Sequence, residues 1–128
     1  MISVESRVHR VLRQCSTFRG SGSGDFRRIV ATAPLAVSEE PICVLKGEEG
    51  QTDLVVTDQR ILFGEGERWE SLRFDDITTI KGYESKEDTN RLHVTVKNGE
   101  DVVVRSPGSQ SDGLEFFRFL MRVEEDQR

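Results

Sequence analysis

The sequence predicts a mainly β domain: a meander of seven antiparallel strands closed by a C-terminal helix, with an amphipathic helix in front. Three observations carry that prediction. Residues Thr52 to Gly64 read as two short strands joined by the two-residue turn Asp58-Gln59. Between Pro41 and Arg105, short apolar or alternating runs are separated by turn-forming residues. The last stretch, residues 112–125, is dense in Leu, Phe, Met and Val at helical spacing.

Residues 3–15 read as the first helix. Val4, Val8, Val11 and Cys15 recur at helical spacings with Leu12 beside them, giving a stripe roughly 100° wide. Ser3 can cap its start. Such a narrow stripe looks more like a coiled-coil seam than a globular-core face, although two heptads are too few for a coiled coil. Gly20-Ser21-Gly22-Ser23-Gly24 reads as a flexible linker. No Gly-Lys-Ser/Thr follows it and no strand precedes it, so it does not cradle phosphate. Residues 26–33 can form a second short helix, with Pro34 and Pro41 around the entry to the next element.

The strands follow as Ile42–Leu45, Asp53–Thr57, Arg60–Gly64, Arg68–Arg73, Ile77–Tyr83, Arg91–Lys97 and Asp101–Arg105. Lys86 to Asn90 forms a polar turn. Leu92, Val94 and Val96 alternate inward against His93, Thr95 and Lys97. Asn98-Gly99 predicts a hairpin with positive φ at both turn positions. Asp112 with Glu115 resembles a capping box opening the final helix. The apolar residues of that helix cover roughly 220° of arc, more than one buried face needs. One part should plug the sheet. The remainder calls for another partner, and the stripe of residues 4–15 is the nearest candidate.

A chain of 128 residues, 35% hydrophobic and 32% charged, suits one folded domain. It has no apolar run near the ~20 residues that span a bilayer. Residues 1–5 lack the pattern of a signal peptide, which places the chain in the cytoplasm. Cys15 and Cys43 have neither metal-ligand spacing nor disulfide density, and they read as reduced thiols. The net charge of -5 is uneven. Residues 1–28 carry six Arg against Glu5 and Asp25, or +4, and the rest carries -9. A basic arm (residues 1–39) on an acidic body (residues 40–128) suggests docking between them, within one chain or between chains.

Seven antiparallel strands closed by one helix is the architecture of the pleckstrin-homology (PH) superfold. The run Leu54-Val55-Val56-Thr57-Asp58-Gln59-Arg60-Ile61-Leu62-Phe63 resembles the Leu–Thr–Asp–x–Arg–apolar–Phe hairpin of bacterial PH-like and GRAM-like domains, a family of unknown function. Phe74-Asp75-Asp76-Ile77 is similar to the segment that opens the next strand there, and Gly113 to Phe119 to the closing helix. The likeness covers about residues 40–125. It implies a PH-like barrel or sandwich, and it says little about function, because such barrels bind lipids, peptides or proteins. Asp58, Arg60, Asp75 and Asp76 are read as structural. Asp58 should bond backbone N–H groups of its turn, and Arg60 should pair with Asp75 or Asp76 across strands.

The search for chemistry returns little. Glu39-Glu40, Glu48-Glu49 and Asp75-Asp76 are adjacent pairs whose side chains diverge on a strand, so they keep turns and edges solvated rather than converge. Cys43 with His93 lacks an orienting third group. Trp69 reads as an anchor of the barrel. The loops at residues 46–53 and 64–67 are acidic, against the basic loops of phosphoinositide-binding PH domains. An acidic body also argues against nucleic acid. No nucleophile, metal or cofactor is named by any motif.

The expected function is therefore a non-catalytic PH-like module that self-associates or binds another protein, with no cofactor. Its contacts would lie along the two terminal helices at Val4, Val8, Val11, Leu12, Phe116, Phe119 and Val123, although each residue taken singly reads as core. The alternative is peripheral membrane binding, with the first helix lying on an anionic bilayer and Arg7, Arg10 and Arg13 flanking its apolar stripe.

Overall fold

The computed structural model describes residues 2–65 and 67–127. Met1 of the basic arm, Gly66 of the 64–67 loop and Arg128 lie outside the described residues. The described chain forms two antiparallel sheets and three α-helices. In order these are α1 (Val4–Arg10), β1 (Phe18–Arg19), α2 (Gly24–Val30), β2 (Pro41–Leu45), β3 (Asp53–Thr57), β4 (Arg60–Glu65), β5 (Arg68–Arg73), β6 (Ile77–Ser85), β7 (Asp88–Val96), β8 (Asp101–Arg105) and α3 (Gln110–Asp126). One sheet runs β1-β2-β3-β4-β5 and the other β6-β7-β8. The two sheets do not close into a barrel. The seven expected strands are present, and a two-residue strand, β1, adds to the first sheet beside β2.

The runs Cys43–Leu45, Leu54–Val56 and Ile61–Phe63 are buried throughout. Strands apolar at every position need cover on both faces. On the inner face, Cys43, Leu45, Leu54, Val56, Ile61, Phe63 and Leu72 join Leu92, Val94, Val104 and α3 in the main core. On the outer face, Val44, Val55 and Leu62 pack under Phe26 and Ile29 of α2, with Leu35 and Trp69 at the margin. Trp69, expected to anchor a barrel, is instead partly buried at the edge of this outer layer. Helix α2 spans 24–30 rather than 26–33, because Ser23 accepts a hydrogen bond from the Phe26 N–H and caps it there. The supposed linker therefore supplies a helix start.

Helix α3 begins earlier than expected. Ser109 is its cap and Asp112 the reciprocal partner, so the capping box is Ser109–Asp112 and not Asp112–Glu115. Gly113 lies against β7: a Cβ there would sit 2.7 Å from the Thr89 carbonyl oxygen. Phe116, Phe119, Leu120 and Val123 are buried, and each contributes roughly 1.5–3 kcal/mol by leaving water. Phe119 meets Phe74 edge to face at 6.2 Å.

The helix expected over 3–15 stops at Arg10 and continues as a 3-10 turn over Leu12–Gln14. Val8, Val11, Leu12 and Cys15 are buried in the main core, and Val4 packs against it. Residues 4–19 are thus built into the main core and the first sheet, and α2 into the outer layer. Part of the charge asymmetry is resolved within the chain: Arg7 forms a bidentate pair with Asp126 of α3, both contacts at 2.7 Å. Arg19 and Arg28 instead pair with Asp25 inside the arm.

The Asn98-Gly99 hairpin takes a different form. Only Gly99 has positive φ, at 88°, and the Gly99 N–H bonds back to the Val96 carbonyl. This is a type I turn followed by a left-handed glycine, which leaves Asn98 unstrained.

Candidate functional site

The β3–β4 turn carries a dense polar assembly. Thr57 Oγ1 accepts from the N–H groups of Gln59 and Arg60, at 3.1 and 3.0 Å. It is therefore Thr57 that stitches this turn. Asp58 does not: its Oδ1 accepts from the Glu40 N–H at 3.0 Å and fastens the turn to the segment before β2. Arg60 does not pair with Asp75 or Asp76. Its Nε and Nη2 donate to the two carboxylate oxygens of Glu39 at 2.8 and 2.9 Å. A further bond from Nη2 reaches the Pro34 carbonyl at 2.9 Å. The Thr57 hydroxyl also donates to Glu39, at 2.7 Å. Asp75 pairs with its neighbour Arg73, and the Asp76 carbonyl accepts from the Lys97 N–H.

Burial alone would push the Glu39 carboxyl up. The hydrogen bonds from Arg60, Thr57 and the Ala36 N–H, with the Arg60 charge, overcome this and hold it at about 2. Glu39 is therefore a buried structural anion and not a solvating edge charge. A second such anion is Asp112. It accepts from the Ser16 N–H and hydroxyl at 2.8 and 2.6 Å and from the Ser109 N–H at 2.9 Å. Burial raises its carboxyl, and these donors bring it below the ordinary value.

The chemical pairings weighed from the sequence do not assemble. Cys43 is fully buried, and burial raises its thiol. His93 sits on the outward side of β7, paired with Glu84 of β6. Cys15 is buried as well, and burial pushes its thiol up to about 12. Glu39 is buried while Glu40, next to it in the segment before β2, is exposed, so that pair does not converge. Among the described residues, no group of three or more His, Cys, Asp or Glu could hold a metal ion.

Of the seven contact residues expected on the terminal helices, Val8, Val11, Leu12, Phe116, Phe119 and Val123 are buried inside the chain, and Val4 is half-buried. The two helices cover each other. What remains of the broad apolar arc of α3 is its opposite flank. Leu114 is 39% exposed, Phe117 and Met121 are half-buried, and Tyr83 at the end of β6 is 37% exposed. Tyr83 meets Phe117 edge to face at 5.6 Å. Leu114, Phe117 and Met121 stand three and four residues apart, so they form one stripe. The excess arc was the signal for this face, and the wheel positions of these three residues could have located it.

The stripe runs beside β6, a free sheet edge nine residues long. That edge is guarded. Lys81 and Glu84 are exposed along it, and its pairing with β7 breaks register three times. Its neighbourhood is suited to side-chain docking more than to strand addition.

A separate groove of about 760 Å³ opens at the other end of α3. The start of α1, the turn at residues 20–22, the entry to β2, Asp58 and residues 123–127 form its walls. No helix among the described residues is long and apolar enough to cross a membrane. Comparison with protein-family models, with curated proteins and with solved structures finds no match.

Proposed function

We propose that this chain is a non-catalytic PH-like interaction module acting in the cytoplasm, which holds a protein surface, a second copy of itself first, on the outer flank of α3. The PH-like reading is supported by order. Two meanders, β2–β5 and β6–β8, are followed by a helix packed on β6 and β7. Helices α1 and α2 and strand β1 are additions to that plan. The observation that carries the functional reading is the Leu114–Phe117–Met121 stripe with Tyr83. It is an apolar stripe that the described residues cover only in part: Leu114 and Tyr83 are exposed, and Phe117 and Met121 half-buried.

The peripheral membrane alternative is disfavoured. Its helix would have to offer Val8, Val11 and Leu12 to lipid, and these already fill the core. Acidic loops at residues 46–53 likewise support a reading without phosphoinositide or nucleic acid.

The test is the solution mass across a concentration series, by light scattering, for the native chain and for Leu114→Glu/Met121→Glu. The proposal expects a concentration-dependent rise that the double variant abolishes while its folded signal persists. A monomer at every concentration would remove self-association from the reading.

A further inference from the structure

The groove at the α1 end of the molecule is independent of the α3 stripe and differs from it chemically. Its volume, about 760 Å³, lies within the roughly 300–1,000 Å³ typical of ligand pockets. Phe18 and Ile42, both half-buried, give its lining apolar surface, and Val123, almost wholly buried, stands behind it. The carboxylates of Glu5, Glu40 and Asp58 stand around that surface, all three residues exposed. Asp126 also lines the groove, and Arg7 already neutralises it. Among the described lining residues the permanent positive charge is Arg13. Glu5 stands 3.8 Å from His9.

We infer that this groove takes a basic peptide segment, with an apolar side chain seated against Phe18 and Ile42 and Lys or Arg side chains meeting Glu5, Glu40 and Asp58. Charge complementarity selects this occupant. Carboxylates outnumber cations on this wall, so it repels phosphate and acidic peptides and draws cations at moderate salt. The apolar floor excludes a purely polar cation as the best fit, since water would remain over Phe18 and Ile42. Exposed carboxylates are individually weak partners, so affinity needs both halves together.

The probe is a fluorescent capped hexapeptide of alternating lysine and leucine, followed by anisotropy on the full chain. Two comparison ligands accompany it: the same peptide with glutamate for lysine, and spermine as competitor. The expected result is saturable binding of the lysine peptide and none of the glutamate peptide. The affinity should fall at least tenfold in Glu5→Lys/Glu40→Lys. Both residues are exposed, and retention of the native unfolding transition checks the fold. Absence of binding, equal binding of the glutamate peptide, an unchanged affinity in the charge-reversed variant, or displacement by equimolar spermine would each overturn the inference. Leu114→Glu/Met121→Glu should bind the lysine peptide like the native chain, which separates failure here from failure of the α3 proposal.

Discussion

Arg60 and Glu39 form a bidentate ion pair in which the carboxylate side chain is 1% exposed and the guanidinium 20%. It joins the β3–β4 turn to the segment that leads into β2. Removing one partner strands the other. Arg60→Ala should cost about 3–5 kcal/mol in urea unfolding, the usual penalty for leaving a buried charge unpaired. Arg60→Lys should fall between, because a lysine cannot reproduce the two-oxygen fork.

The same pair sets an acid limb of stability. The folded Glu39 carboxyl lies at about 2, below its ordinary 4.5. Its contribution is therefore complete above about pH 4.5 and is lost as pH falls toward 2. Denaturant midpoints measured between those limits should fall in the native chain. The fall should be shallower in Glu39→Gln, which starts less stable but no longer titrates at this site.

Gly113→Ala sets two effects in opposition. Alanine is better than glycine within a helix by about 1 kcal/mol. The new Cβ would meet the Thr89 carbonyl at 2.7 Å, and overpacking costs about 1–3 kcal/mol. The clash is with backbone of β7, which cannot swing aside, so the melting temperature should drop.

Leu12 is fully buried beneath α1 in the main core. Leu12→Ala should lose about 2–5 kcal/mol by urea titration. An arm resting loosely on the surface would show a change within about 0.5 kcal/mol.

Cys15 and Cys43 should resist alkylation in the folded chain at pH 8. Both are buried, with Cys15 held at about 12, so thiolate is scarce. Both should react once urea unfolds the chain. Asp112→Ala should speed the Cys15 reaction selectively, because Asp112 holds the Ser16 N–H and hydroxyl beside it.

Much of the β architecture was legible because strand pairing leaves a local pattern. The Asp53–Gly64 hairpin and the alternation of Leu92, Val94 and Val96 appear where expected, and the apolar final helix appears two residues early. What failed was long-range. Glu39 sits 21 residues before Arg60, and nothing in Ser38-Glu39-Glu40 marks one carboxylate for burial. Strand β1 has two residues, too few for any periodicity. The second layer over Val44, Val55 and Leu62 was implied by unbroken apolar runs, but its cover, α2, lay beyond a Gly/Ser stretch read as linker. The proposed contact face differs from the expected one for a related reason. The narrow stripe of α1 and the wide arc of α3 satisfy each other, which leaves Leu114, Phe117 and Met121.

The most direct test of this division is amide hydrogen exchange, residue by residue, at low and high protein concentration. The account predicts that Val11 and Cys15, whose N–H groups bond to Arg7 and Leu12, exchange only with global unfolding, like β3. It also predicts that added protection at high concentration falls on residues 114–121 and around Tyr83. Fast, local exchange across α1, with the concentration effect concentrated there, would contradict it and return the interaction surface to the N-terminal helix.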